Sequence, residues 1–308
     1  MTSNNRAVVV TGASGFLSAW ILPKLIARGR KVVAIDIARD ETRLRQATQG
    51  QPPPGIAWET ADLTIDGIMS RIAEQYAADT ILHLAALQIP ACKANPIAGA
   101  KVNVVGHVGV LEAARHVGAR VVYTSSVAAK PRGAANAPAN LYGVFKRADE
   151  EIARLYAEDF GVASFGLRPH VVYGVGRDQG ETSAVTSAMR AAAIGESYVV
   201  PWTTATCFQF ADDIAEMFVR VVEAEWNGAH LAAARSSPAS APSPRTPICG
   251  CAASSGSPTA GGCACRRTTT PNSRRRASQR RWRRSGRGRK QRGRRRMRTD
   301  RGALSAAS

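Results

Sequence analysis

Three residues in the middle of the chain have the types and spacing for acid–base chemistry. Tyr142 and Lys146 stand four apart at the start of a helical stretch, so both project from one face of that helix. A free phenol, with a reference pKa of about 10, is a poor base at neutral pH. A neighbouring ammonium favours the phenolate and brings such a group toward working range. Ser126 follows a strand expected at 120–125 and could hold the oxygen of a bound hydroxyl. Tyr-x-x-x-Lys alone is common on surface helices. Preceded by Thr124-Ser125-Ser126 at a strand end, it reads as a group that moves a proton on and off a substrate oxygen.

A second set of residues could hold a dinucleotide. Gly12-Ala13-Ser14-Gly15-Phe16-Leu17-Ser18 lies between an apolar run at 7–11 and a helical stretch at 16–27. Glycine lets the backbone approach a pyrophosphate, and the helix start offers free N–H donors with a partial positive charge. Asp36 closes the second apolar run, 24 residues after Gly12. A carboxylate there accepts bonds from ribose hydroxyls and repels a 2′-phosphate, which favours NAD over NADP.

Together these residues resemble the extended short-chain dehydrogenase/reductase family, of the epimerase/dehydratase type, over roughly residues 7–230. The family's T-G-x-x-G-F-x-G turn is matched from Thr11 to Phe16, with Ser18 where the third glycine is usual. That glycine allows close helix–strand packing, so serine predicts weakened but not abolished cofactor binding. Asp62-Leu63 match a pair that the family places near adenine, and His83-Leu84-Ala85-Ala86 match a strand end that lines the cofactor. Asn103 matches an asparagine of the central helix, while His107 replaces the threonine usual nearby.

The resemblance implies a cofactor site made of Gly12, Gly15, Phe16, Leu17, Asp36, Asp62, Leu63, Leu84, Ala85 and Ala86, joined by Tyr142 and Lys146. It assigns Tyr142 as acid/base, Lys146 to tuning and ribose contact, and Ser126 to substrate orientation. After Ser126 the family has a Tyr-Gly, where this chain reads Val127-Ala128-Ala129-Lys130-Pro131-Arg132-Gly133. Arg168-Pro169-His170 through Tyr173-Gly174-Val175-Gly176 is similar to the segment where the nicotinamide end meets the substrate, and Gln179 to Ser183 would follow at the cleft mouth. His170 could serve as an acid, although a structural or cofactor-lining role is the simpler assignment. Phe208 to Asp213 matches a segment that packs under the substrate lobe. The activity implied is NAD-dependent oxidation or epimerisation at a hydroxyl of a sugar, nucleotide-sugar or sugar acid, by Tyr-assisted hydride transfer, in a homodimer. The alternatives are a catalytically impaired NAD binder, or a nucleic-acid-binding fusion.

The elements that must position these residues alternate. Strands are expected at 7–11, 31–37, 55–59, 80–84, 120–125 and 163–168, and helices at 16–27, 98–116, 142–159, 185–194 and 212–225. This is the α/β pattern of a Rossmann, doubly wound parallel sheet. Pro23 predicts a kink in the first helix. The division expected is an NAD-binding domain at 1–170, a partial substrate lobe at 171–234 interleaved with it, and a low-complexity, disordered, Arg-rich tail at 235–308.

Charge separates the tail from the body. The 308-residue chain has a net charge of +19. Over residues 1–234, 22 basic side chains face 22 acidic ones, whereas 235–308 holds 20 basic residues and one acid, Asp300. No run of about 18 apolar residues exists to span a membrane. Residues 1–6 lack a secretory pattern, so a cytoplasmic protein is expected, with Cys92 and Cys207 as reduced thiols. No metal site is expected: Cys249-x-Cys251 and Cys263-x-Cys265 lack the C-x2-C spacing of zinc ribbons. The tail reads as a solvated extension, or as an arm that meets nucleic acid non-specifically with Trp282 for stacking. The favoured third reading is an out-of-frame translation of a GC-rich gene. Codons rebuilt across 235–248 from each third base, G or C, and the next two bases place Val or Leu at i, i+1, i+4 and i+7. That is an amphipathic helix of a kind the family has there. On this reading the substrate lobe is incomplete and apolar surface is left exposed.

Overall fold

The computed structural model of the chain describes residues 6–131, 133, 135–201 and 206–233. The tail at 235–308, with its four cysteines and Trp282, lies outside the described residues. The elements run β1 (Ala7–Thr11), α1 (Phe16–Ala27), β2 (Lys31–Asp36), α2 (Thr42–Ala47), β3 (Ile56–Thr60), α3 (Ile68–Gln75), β4 (Ala78–His83), α4 (Ile89–Ala94) and α5 (Pro96–Ala100). They continue with α6 (Gly106–Val117), β5 (Arg120–Thr124), α7 (Leu141–Phe160), β6 (Ser164–Arg168), β7 (Val171–Tyr173), α8 (Ala184–Ala193), β8 (Phe208–Phe210), α9 (Ala211–Glu223) and β9 (Ala229–Ala233).

Seven strands form one parallel sheet in the order β3-β2-β1-β4-β5-β6-β9. This is the Rossmann-type α/β sheet expected. β1 is buried along its whole length, which is why it reads as an unbroken apolar run and not as an alternating one. Successive side chains enter opposite layers. Val8 and Val10 pack with Leu22, Leu25, Ile214 and Phe218 on the α1/α9 side. Val9 packs with Ile35, Met69, Ile72, Leu111 and Val121 on the α3/α6 side. Strand order reverses between β1 and β4, so the carboxyl ends of these two strands frame the crevice in which such sheets take ligands.

α1 runs from Phe16 to Ala27 as expected, with Pro23 inside it. Other expectations shift. The single helix expected at 98–116 is α5, a π-helical turn at Lys101–Val105, and α6. The widened turn sets Asn103 inside, where its amide is satisfied in both directions by the backbone of Leu87. Periodic structure continues past His230 as β9, an edge strand whose Ala-rich sequence carries little apolar signal. It is held by backbone pairing to β6 and by His230 stacking on Phe165 at 5.5 Å.

Residues 171–210 leave the main sheet. β7 and β8 pair as a separate two-stranded sheet, and α8 lies between them in sequence. Met189, Ile194, Tyr198, Val199 and Val200 are exposed in this part, Val199 at 86%. α9 and β9 return to the Rossmann body. Among the described residues no helix is long and apolar enough to cross a membrane.

Candidate cofactor and catalytic site

The turn between β1 and α1 is built so that only glycine fits at its first position. Gly12 has φ +69°, and a Cβ there would stand 2.7 Å from the backbone nitrogen of Ala85. A Cβ on Gly15 would stand 2.8 Å from the carbonyl of Gly12. The turn is therefore pressed against the end of β4, leaving the N–H groups at the start of α1 facing the crevice. Ser18, the departure from the family turn, is fully buried, and its hydroxyl donates to Gly12 O at 2.7 Å. Serine thus replaces the small size of glycine with a bond that closes the turn.

Asp36 stands at the end of β2 beside this turn. Its carboxylate accepts from the backbone N–H of Ser14 at 2.9 Å and of Ile37 at 2.8 Å. Two sites on its oxygens remain for other donors. Ser14 is pinned further by its hydroxyl, which donates to Ala38 O. Asp62 caps its own turn, accepting from the N–H and hydroxyl of Thr64, and these bonds hold its pKa below the usual carboxylate value. Leu63 lies under Gly106 at the start of α6. On the far side of the crevice, Leu84 to Ala86 leave β4, and Asn103 fixes the next residue, Leu87. The turn is thus bonded to Asp36 through Ser14 N and packed on Leu84 and Ala85 beyond β4.

The residues expected from the sequence to move a proton lie after the neighbouring strand β5 and on α7. Ser126 follows β5, half-buried, and its hydroxyl oxygen accepts from Ala128 N at 3.1 Å. α7 begins against this segment. A Cβ on Gly143 would stand 2.3 Å from Ala128 O, so the glycine after Tyr142 is what lets the helix start approach the serine loop. Asn140 caps the helix, accepting from Gly143 N at 2.8 Å.

Lys146 is buried one turn further in. Its Nζ lies 3.2 Å from Asp149 Oδ2, a partner that sequence reasoning missed. Burial works against the ammonium, but Asp149, Tyr142 and Cys92 outweigh it and keep its pKa above the usual lysine value. Behind this pair stand two buried histidines. His83 and His107 have ring centres 5.4 Å apart, and His107 packs edge-on to Tyr123 at 5.0 Å. Thr11 Oγ1 bonds His83 Nδ1 at 2.8 Å, while His83 Nε2 and both ring nitrogens of His107 have no hydrogen-bond partner among the described residues. Burial drives both histidines below their ordinary pKa, so they are neutral. Glu150 accepts from Arg168 Nε at 2.6 Å and from the Ser125 hydroxyl, tying α7 to the ends of β5 and β6.

Other residues quoted from the sequence find structural places. His170 donates its backbone N–H to the buried Gln209, which joins the β7 and β8 regions. Phe210 meets Trp20 edge-on at 5.4 Å, and Asp212 pairs with Lys24 at 2.7 Å, holding α9 to α1. A short spacing signal for Asp149 did exist, a carboxylate three after a lysine on one helix. None existed for Arg43, whose partner Asp178 is 135 residues away, or for the packing of Arg177 on Phe16.

Comparisons with known proteins agree with this layout. The model of the NAD-dependent epimerase/dehydratase family matches residues 8–233. An uncharacterized epimerase/dehydratase of Staphylococcus haemolyticus is 27% identical over 232 residues, 71% of each chain. One from Staphylococcus aureus is 25% identical over 233 residues, with the same coverage. Among solved structures, the UDP-glucose 4-epimerase of Thermotoga maritima superposes with a TM-score of 0.62 at 21% identity, covering 73% of this chain and 75% of its own. The L-threonine dehydrogenase of Clostridium difficile gives 0.63 at 23%, covering 74% and 75%. The likeness to these structures is one of fold.

Proposed function

Since the chain belongs to the NAD-dependent epimerase/dehydratase family, an enzyme family that works with NAD, we propose that it oxidises or epimerises a hydroxyl-bearing carbon of a sugar, nucleotide-sugar or sugar acid. The observation that carries this is the close approach of the start of α7, at Gly143, to Ala128 in the loop after Ser126, with Lys146 buried one turn further along the helix; it supports a site in which Tyr142 and Ser126 act together. The glycine turn with Phe16 and Leu17, Asp36, Asp62-Leu63 and Leu84 to Ala86 would hold NAD, with Lys146 reaching its ribose. NAD bound there supplies the hydride acceptor and donor. Ser126 orients the substrate oxygen. Tyr142 takes the hydroxyl proton and returns it in the reverse direction, and the Lys146 ammonium favours the phenolate that this requires. A sugar-type substrate is supported by two fold neighbours, epimerases in complex with UDP-glucose and with UDP-N-acetylmuramic acid.

The test is Tyr142→Phe in the full chain, assayed by the absorbance of reduced nicotinamide and by sugar analysis with UDP-glucose and simple sugar acids. The variant should lose roughly 100-fold or more in turnover. Released ketone would assign a dehydrogenase, and an inverted sugar an epimerase. Turnover unchanged by Tyr142→Phe would remove the proposed mechanism.

A further inference from the structure

The loop between β7 and α8, residues 174–183, is tied to the cofactor side of the molecule. Trp20 Nε1 of α1 donates to Val175 O at 3.1 Å. Arg43 of α2 donates to Asp178 Oδ1 through Nε at 3.1 Å and Nη2 at 2.9 Å, and through Nη1 to Ser14 O in the glycine turn at 3.1 Å. Gly180 is packed so closely on Gln88 that a Cβ would stand 1.9 Å from its Oε1. These ties reach α1, α2 and the segment after β4, the elements that frame the proposed dinucleotide site.

Arg177 turns inward from this loop. Its guanidinium carbon lies 5.5 Å from the centre of the Phe16 ring, and Nη2 donates to Thr182 Oγ1 at 3.1 Å. Its Nε is buried and has no hydrogen-bond partner among the described residues. Among the described residues no carboxylate pairs with it, because the adjacent Asp178 is taken by Arg43. Burial pulls its pKa below the ordinary arginine value, opposed by Tyr142 and Asp178. An arginine nonetheless stays charged in a protein. The result is a half-buried cation, braced in place by Thr182 and Phe16, with its Nε donor unused among the described residues. Such a charge is costly to hold without a counter-ion.

We propose that Arg177 is an anion anchor, whose guanidinium takes a phosphate or carboxylate oxyanion of a molecule bound between Phe16 and Tyr142. This rests on the reading of 12–18 as a dinucleotide turn and of Tyr142 as the acid/base, which places a ligand there. The planar fork of arginine suits an oxyanion held by two parallel bonds. The oxyanion has two sources, a phosphate of the dinucleotide or an acidic group of the substrate. Either way the loop joins the two halves of the site, and an anionic ligand would lock it to the glycine turn.

The experiment is a tryptophan-fluorescence titration of the full chain and of Arg177→Gln and Arg177→Lys, first with NAD and then with UDP-glucose at saturating NAD. Arg177→Gln should raise one Kd by about tenfold or more, the worth of a charge-assisted hydrogen bond. Arg177→Lys should recover part of that loss. A loss seen with NAD assigns the dinucleotide phosphate, and a loss confined to UDP-glucose assigns a substrate anion. NAD affinity unchanged, with no Arg177-dependent binding of UDP-glucose, overturns the anchor and leaves the cofactor reading standing. So does a lysine variant no better than glutamine. A wild-type chain that fails to bind NAD removes the cofactor reading and the anchor with it.

Discussion

Asp149 lies one helical turn beyond Lys146, with its Oδ2 3.2 Å from the ammonium, and both side chains are buried at 0% and 3% exposure. The lysine proposed to act on Tyr142 therefore has its charge secured from behind by a carboxylate. Removing that carboxylate lowers the Lys146 pKa, so the ammonium is lost at a lower pH. Asp149→Asn should move the alkaline limb of the pH–rate profile toward acid by about one unit or more. Breaking one side of a buried pair should also cost about 3–5 kcal/mol of stability. An alkaline limb that stays where it is would separate Asp149 from the chemistry and leave it a structural role alone.

The buried histidines give a pH dependence of stability with a defined sign. His83 and His107 have folded pKa values below their unfolded ones, so the unfolded chain binds more protons and stability falls with acid. The loss begins as pH drops below about 6.5, the ordinary histidine value, and reaches at most about 1.4 kcal/mol per histidine at one unit below it. His107 faces His83, Tyr123, Lys146 and Asp149. Denaturant unfolding at neutral and mildly acidic pH should show a smaller acid loss in His107→Thr than in the wild type. Equal losses in the two would mean that His107 is protonated in the folded state.

Ser18 occupies a glycine position of the family turn yet completes the turn by bonding Gly12 O. Ser18→Gly should therefore not tighten NAD binding. It should lower stability by about 1 kcal/mol through the lost hydrogen bond and a freer unfolded backbone. A glycine variant with higher NAD affinity would show that the hydroxyl holds the turn too far closed.

The family match ends at residue 233, where the charge balance also ends, and the favoured account of the following segment is a shifted reading frame. Resequencing the gene from independent template across the codons for residues 227–240 should find an added or missing base, with an open frame leading into periodic apolar sequence. An intact frame would make the basic segment a genuine part of the protein. Steeply salt-dependent nucleic-acid binding would then be the next property to measure.

Much of this was legible in the sequence because buried parallel strands announce themselves. β1 is a nearly unbroken apolar run, β4 and β5 carry apolar centres at Ile81-Leu82 and Val121 to Tyr123, and the glycine turn, Asp36 and Tyr-x-x-x-Lys are local signals that need no tertiary knowledge. Short helices such as α2, with Leu44 as its one buried side chain, carry too little pattern to be seen. The π-helical turn was hidden because one extra backbone residue leaves the apolar content unchanged. The charge partners were hidden for another reason. Arg43 with Asp178, and Arg177 with Phe16, are joined only by the path of the chain through space, and surface arginines with the same local sequence would look identical.

NAD binding in the crevice between β1 and β4 can be tested on the full-length chain without a known substrate. Titration should show saturable binding of NAD, weaker binding of NADP because of Asp36, and loss of both in Gly12→Val, whose side chain would collide with Ala85. A wild-type chain that binds neither dinucleotide, or a Gly12→Val chain that folds and binds NAD as well as the wild type, would contradict it.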